Sequence, residues 1–348
     1  MAAGERRRAP PAGDKAGRNG ADSDARGGRG RASTRTAPTK SSRASEGRRV
    51  SRDGAGRRGE SPSSSGPEGT PGGLAGLVQR RARQWSLDSI DPSFAHRQRP
   101  FWNLLQDHYF RMEIEGWHRL PDPPALVVGT HAAGIFPVEA WMFGLSWWRR
   151  FGEDRILHGT AHDALMAAPG FGAYFRRMGV MSASRETVSA ALEAGRDVAV
   201  FPGGDVDSLR PWLKRDRVML AGRTGFVKQA IRSGVPIVPL AQTGGSDTMF
   251  TLTDGKRLAR ALRLNRLARA EALPLALGVP WGIAPGVLPF LPLPAKLRSE
   301  LLEPLFVDDD PERADDDDYV EEVYREVERR LQGAMSRLAS RRSFPVLG

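Results

Sequence analysis

Six histidines, His96, His108, His118, His131, His158 and His162, are the side chains whose ordinary pKa suits proton transfer near neutral pH. His131 has the most open setting. It follows the apolar run Ala125-Leu126-Val127-Val128-Gly129, and its neighbours Thr130, Ala132, Ala133 and Gly134 are small. Small neighbours leave room for a substrate, and a neutral imidazole can take the proton of an alcohol. Such a base needs a carboxylate to hold its tautomer, and the nearest downstream is Glu139. Eight residues of straight helix would span about 12 Å, too far for contact, but Gly134 and Pro137 break a straight path. Glu139 has a second reading, as an acid in the first turn of a helix begun at Pro137, where the helix dipole favours it. Asp205 and Asp207 are the carboxylates to turn to if Glu139 is not the partner.

Other chemistries are excluded by what the chain lacks. It contains no cysteine, which removes thiolate metal sites, disulfides and thiol nucleophiles. There is no Gly-x-Ser-x-Gly elbow, no phosphate loop ending in Gly-Lys-Ser/Thr and no His-Glu-x-x-His. Gly170-Phe171-Gly172 does not complete a dinucleotide fingerprint.

The elements that must position these residues follow from patterning. Ala125–Gly129 predicts a buried strand, and Pro137 opens a helix through Val138-Glu139-Ala140-Trp141 and onward. Ser184 caps a helix that stops at Gly195. Asp197–Phe201 is the next strand and runs into Pro202-Gly203-Gly204. A helix over Gly222–Ser233 stops at Gly234, and Val235–Leu240 is extended. The alternation predicts an α/β fold, a mainly parallel sheet flanked by helices. In such sheets ligands collect at the carboxyl ends of strands, so His131 and the Gly203-Gly204 turn are expected on one rim. Val320, Val323, Tyr324, Val327, Leu331, Met335 and Leu338 fall on one face of a C-terminal amphipathic helix over 315–341, read as packing on the core.

Two domains of different character are expected, a tail over 1–84 and a folded domain over 85–348. No aromatic residue precedes Trp85. The tail is rich in Arg, Gly, Ser and Pro, a composition that predicts disorder, and it has no apolar core of the kind a secretory signal needs. Residues 1–80 carry 17 Lys and Arg against 8 Asp and Glu, and the rest carries 35 against 33. The positive charge is therefore concentrated in the tail, which reads either as a solvated linker or as an electrostatic tether. No specific nucleic-acid partner is expected of the folded part. Between Glu271 and Lys296 the chain has 24 residues without a charge. Their six prolines argue against a transmembrane helix, and the stretch reads as an apolar loop at a bilayer or an acyl cavity, or as a buried connection. Trp141, Trp147 and Trp148 beside Arg149 and Arg150 allow an interfacial helix or ordinary core packing.

Four blocks resemble the glycerolipid acyltransferase superfamily, closest to its diacylglycerol-acyltransferase-like membrane branch. They are VVGTHAAGIFPVEAW around His131, Gly179 to Arg185, Val200-Phe201-Pro202-Gly203-Gly204-Asp205 with Arg210, and GRTGFVKQAIRSGVPIVPLA. The resemblance implies a glycerol-phosphate acyltransferase-like fold, His131 as general base and Glu139 as its orienting acid, in place of the Asp that ends the Gly-x-x-Pro-x-Asp pattern of that branch. It implies acceptor or donor contacts from Gly179, Arg185, Gly203, Gly204 and Arg210. It further implies a reaction that needs no metal and no bound cofactor, an acyl thioester, on coenzyme A or acyl carrier protein, as co-substrate, membrane lipids as partners, and a peripheral or monotopic place on the cytoplasmic leaflet. Phe136 stands where many members carry the acid, so the alternative is an inactive acyltransferase-like lipid carrier or scaffold.

Overall fold

The computed structural model describes residues 84–132, 134, 136–255, 274–286, 288–342 and 344. The expected tail over 1–84 lies outside the described residues apart from Gln84. In chain order the elements are α1 (Pro92–Leu104), β1 (Glu113–Glu115), β2 (Leu126–Gly129), α2 (Val138–Phe151), β3 (Leu157–Ala161), α3 (Asp163–Ala167), α4 (Phe171–Arg177), β4 (Val180–Ser182), α5 (Arg185–Glu193) and β5 (Asp197–Val200). They continue with α6 (Gly204–Ser208), α7 (Gly225–Ser233), β6 (Ile237–Thr243), β7 (Phe250–Thr253), β8 (Leu275–Gly278), β9 (Gly282–Pro285), β10 (Arg298–Leu301) and α8 (Asp317–Ser340).

One sheet has the order β1-β10-β6-β2-β5-β3-β4. β6, β2, β5, β3 and β4 run parallel, and β10 enters antiparallel to β6. The mainly parallel α/β architecture read from the sequence is therefore the fold. β2 is buried along its whole length, as a central strand covered on both faces must be. Its alternation sorts the two cores. Leu126 and Val128 pack with α5, α7 and α8, through residues such as Val188, Ile231 and Val327. Ala125 and Val127 pack on the other face with Phe143 and Trp147 of α2.

The helix signals act as expected. Ser184 accepts a hydrogen bond from the Thr187 amide, and Gly234 ends α7 in the left-handed region. All seven residues of the C-terminal apolar stripe are buried. Three expectations need correction. The strand expected at Val235–Leu240 begins at Ile237 and continues to Thr243, because Leu240, Ala241, Gln242 and Thr243 pair antiparallel with Leu301, Glu300, Ser299 and Arg298 of β10. Leu275–Pro285 of the uncharged Pro-rich stretch form an antiparallel hairpin, β8 and β9, rather than a loop, while residues 288–295 are irregular. α2 is a core helix, not an interfacial one: Met142, Phe143, Leu145 and Trp147 are buried, and the Trp147 indole N–H donates to the Arg155 carbonyl at 2.9 Å. Among the described residues no helix is long and apolar enough to cross a membrane.

Candidate active site

The parallel register of β2 with β5, Val128 opposite Val200, delivers the loops after both strands to one rim. Gly129 ends β2 without a side chain for a steric reason. A Cβ there would lie 2.6 Å from the Phe201 ring, so only glycine lets that ring reach the His131 loop. The rings of Phe201 and His131 then meet edge to face, with centroids 5.2 Å apart.

Two carboxylates hold consecutive amides of this loop. The His131 amide donates to Asp207 Oδ2 at 2.7 Å, and the Ala132 amide donates to Glu139 Oε1. Glu139 sits in the first turn of α2, as its second sequence reading placed it, and reaches back to the loop backbone rather than to the imidazole. His131 Nδ1 is enclosed without a hydrogen-bond partner, and so is Glu139 Oε2. The expected Glu139–imidazole hydrogen bond is not made. Glu139 is packed against backbone: a Cβ on Gly245 would lie 2.2 Å from Oε2. The Gln242 side-chain amide donates to the Glu139 carbonyl at 3.1 Å.

The electrostatics follow from enclosure. Burial, with the Arg210 charge acting in the same direction, pulls the His131 pKa down to about 4, so the ring is neutral at neutral pH. Burial pushes Glu139 up to about 7, against the pull of its amide hydrogen bonds and of Arg210. Asp207 is pushed up to about 6 by burial, opposed first by Arg210.

Arg210 is itself buried. It pairs with Asp207 Oδ1 and donates to the Arg217 carbonyl at 2.8 Å, which makes it an internal ion pair. Gly203 and Gly204 have packing reasons to be glycine. A Cβ on Gly203 would meet Asp207 Cβ at 2.4 Å, and Gly204 has φ +52°. The Gly204 amide is engaged with the Phe201 carbonyl at 3.2 Å. Gly179, at φ +84°, precedes β4 and offers its carbonyl to His158 Nδ1 at 2.9 Å. Arg185 opens α5 just past β4, exposed and without an ion pair among the described residues. β4 is three strands from β2, about 14 Å at ordinary strand spacing, so Arg185 shares the rim with His131 but not its immediate surroundings. Arg223 pairs with Asp205 and Lys228 with Asp317.

A mostly apolar cavity lies between α2 and the sheet. Its walls include Trp141, Phe143, Trp147, Met178, Ala199 and Phe201. Phe201 therefore touches both this apolar space and the His131 ring. A smaller cleft is lined by Ala132, Glu139, Arg210, Gln242 and Arg342 among others. Sequence reasoning did not single out Phe201 or Gln242, and named Asp207 only as a substitute partner. The available signal was the Asp207 and Arg210 spacing of three after the Gly-Gly turn, which suits an ion pair on one helical face.

A family model described as diacylglycerol acyltransferase matches residues 94–305. An uncharacterized protein of Mycobacterium tuberculosis is 32% identical over 302 residues, covering 83% of this chain and 82% of that protein. Diacylglycerol O-acyltransferase 2 of Xenopus laevis is 28% identical over 156 residues, 42% of each chain. The crystal structure of the 1-acyl-sn-glycerophosphate acyltransferase from Thermotoga maritima aligns with a TM-score of 0.42 and 18% identity, over 77% of this chain and 89% of that one.

Proposed function

The chain belongs to the diacylglycerol acyltransferase family, and from that premise we propose that it moves a fatty acyl group from an acyl thioester to the hydroxyl of a glycerolipid or related lipid alcohol, with His131 as general base. One observation carries the assignment of the base. The His131 ring is held neutral by burial, has an unpartnered Nδ1, and abuts Phe201, which also walls the apolar cavity.

In this mechanism the acyl chain lies in that cavity, among Trp141, Phe143 and Trp147, with its thioester carbonyl at Phe201. His131 takes the proton of the acceptor hydroxyl as its oxygen attacks the carbonyl carbon. The tetrahedral intermediate collapses, the carbon–sulfur bond breaks, and the imidazolium returns the proton to the thiolate leaving group. Asp207 and Glu139 act as positioning residues, because each fixes one amide of the loop that carries the imidazole. A rigid loop keeps the base in reach of the hydroxyl, where sub-ångström placement governs rate. Arg185, exposed on the same rim, pairs with a phosphate of the donor or the acceptor. The protein works at a membrane surface, where its acceptor is concentrated.

The test is incubation of the purified protein with labelled acyl-CoA and, separately, diacylglycerol, lysophosphatidic acid and a long-chain alcohol, with products identified by mass spectrometry. An ester formed by the wild type and absent with His131→Ala is the expected result. Equal product from both proteins removes His131 from the mechanism. Lipid binding without product from any donor, acyl carrier protein thioesters included, replaces the enzyme with a carrier.

A further inference from the structure

β7, β8 and β9 form a separate three-stranded antiparallel sheet. Leu277 lies directly opposite Ile283 on one side and Phe250 on the other, so these three side chains share a face. Thr251, Ala276 and Ala284 point the other way, and Thr251 and Ala276 are buried. The Leu277 face looks outward. Leu277 is 42% exposed, Val279 48%, Trp281 53%, Ile283 66% and Leu291 62%. That is an unusual concentration of apolar surface for water.

The polar groups at its tip are already satisfied. The Trp281 indole N–H donates to the Pro289 carbonyl at 2.9 Å, and the Leu291 amide donates to the Val279 carbonyl at 2.8 Å. Transfer of this tip out of water would leave neither donor unpaired, which removes the main cost of burying an indole. The sheet also adjoins the histidine loop. The Gly286 carbonyl, just after β9, lies 3.3 Å from where a Cβ on Gly134 would be.

Charge identifies what covers this face. Residues 272–295 carry no charge, whereas residues 256–271 carry Lys256, Arg257, Arg260, Arg263, Arg266 and Arg269 against Glu271 alone. This basic stretch joins Thr253 to Leu275 and so is tied to the sheet at both ends. The near-balance of charge over residues 81–348 conceals it. An apolar face whose strands are joined in sequence by a run of cations matches hydrocarbon beneath anionic headgroups. A second copy of the chain would bring like charges together.

We propose that the β7–β9 sheet is the membrane-contacting element, in which Leu277, Val279, Trp281, Ile283 and Leu291 enter the headgroup–acyl boundary of an anionic bilayer and hold the mouth of the His131 site at the lipid surface. The proposal rests on the reading of the substrate as a membrane lipid. Binding is measured independently of turnover, so the two can fail separately.

The experiment is co-sedimentation of the full-length protein with phosphatidylcholine vesicles and with vesicles of phosphatidylcholine and phosphatidylglycerol, at low and high salt. Wild type should prefer the anionic vesicles, and high salt should weaken that preference. The double variant Trp281→Glu/Ile283→Glu should partition roughly tenfold or more weakly, with an unchanged thermal transition and unchanged transfer to a water-soluble short-chain acceptor. Ile283→Glu alone, at the most exposed of these positions, should give part of the loss. Quenching of tryptophan fluorescence by brominated lipid should fall in Trp281→Phe, a substitution that preserves the apolar surface. Wild-type binding by the charged variants overturns the proposal. Equal binding to both vesicle types overturns the anionic surface. A lipid-free dimer that the double variant dissolves assigns the face to a second copy instead. Absence of transfer to every acceptor by the wild type, with vesicle binding intact, counts against the proposed reaction and not against the docking face.

Discussion

His131 and His158 flank the same strand, β5, and burial pulls both to about pKa 4. Their surroundings are otherwise opposite. His158 Nδ1 donates to the Gly179 carbonyl at 2.9 Å, and Arg196 donates to Nε2 at 3.2 Å. Arginine can only donate and a carbonyl can only accept, so the neutral tautomer with a proton on Nδ1 satisfies both. Trp85 closes the ring edge-on at 5.6 Å. His131 has an unpartnered Nδ1, remains half-buried, and stands beside a cavity wall. A depressed histidine pKa thus reports enclosure in both places, and reactivity requires in addition an unfilled hydrogen-bonding capacity within reach of a substrate.

The sharpest way to break this contrast is to remove each ring. His131→Ala should lower acyl transfer by about 10²–10⁴-fold, the range for loss of a general base, while its thermal transition stays near wild type. Turnover close to wild type in that folded variant would make the two histidines equivalent. Asp207→Asn should show the next largest effect, on stability. It strips the counter-charge from buried Arg210 and should cost about 3–5 kcal/mol, read by denaturant unfolding. A loss under 1 kcal/mol would mean that Arg210 finds another partner. His158→Ala should reverse the His131 pattern, with about 1–3 kcal/mol lost from orphaned buried partners and unchanged specific activity of the folded fraction.

Smaller effects sharpen the electrostatics. With His131 neutral down to about pH 4, the acid limb of kcat/KM should lie clearly below the ordinary 6.5. An acid limb at 6.5 would show a solvated ring. Stability has the matching sign. Between about pH 6.5 and about 4 the unfolded chain takes up protons at positions 131 and 158 that the fold refuses, so stability falls as pH falls through that window. Glu139 acts oppositely. Its folded pKa is raised to about 7, so the fold retains a proton that the unfolded chain releases near 4.5, and stability is lost as pH rises between them. Glu139→Gln keeps an acceptor for the Ala132 amide and should change rate only a few-fold. Its stability relative to wild type should improve from pH 5 to pH 8, and a pH-independent difference would place the Glu139 carboxyl in water.

Much of the positioning frame was legible before any coordinates. The run at 125–129, the cap at Ser184, the stop at Gly234 and the seven-residue stripe of α8 each carry a local physical signature, and each forms the expected element. The shared rim of His131 and Gly203-Gly204 followed from two parallel strands ending alike. The Pro-rich stretch reads as a loop because proline disfavours helix and central strand, yet it tolerates an outlying hairpin, and composition does not state where a segment lies. Trp147 was ambiguous for a similar reason, since an aromatic helix face has one periodicity whether it meets protein core or lipid.

The sequence by itself determined the element order, the apolar faces and the candidate base, because hydrophobic period, capping and glycine stops act over a few residues. It also determined the basic run at 256–271 and the uncharged stretch after it, which no packing can alter. Only the tertiary structure decided how those pieces act. It set the Asp207 carboxylate on the amide of a histidine 76 residues earlier, sent Glu139 to backbone instead of imidazole, and enclosed Arg210. It left the His131 Nδ1 unpartnered while filling both ring nitrogens of His158. These outcomes depend on contacts between distant segments, and on the loss of water that makes a buried charge or an unpaired nitrogen matter.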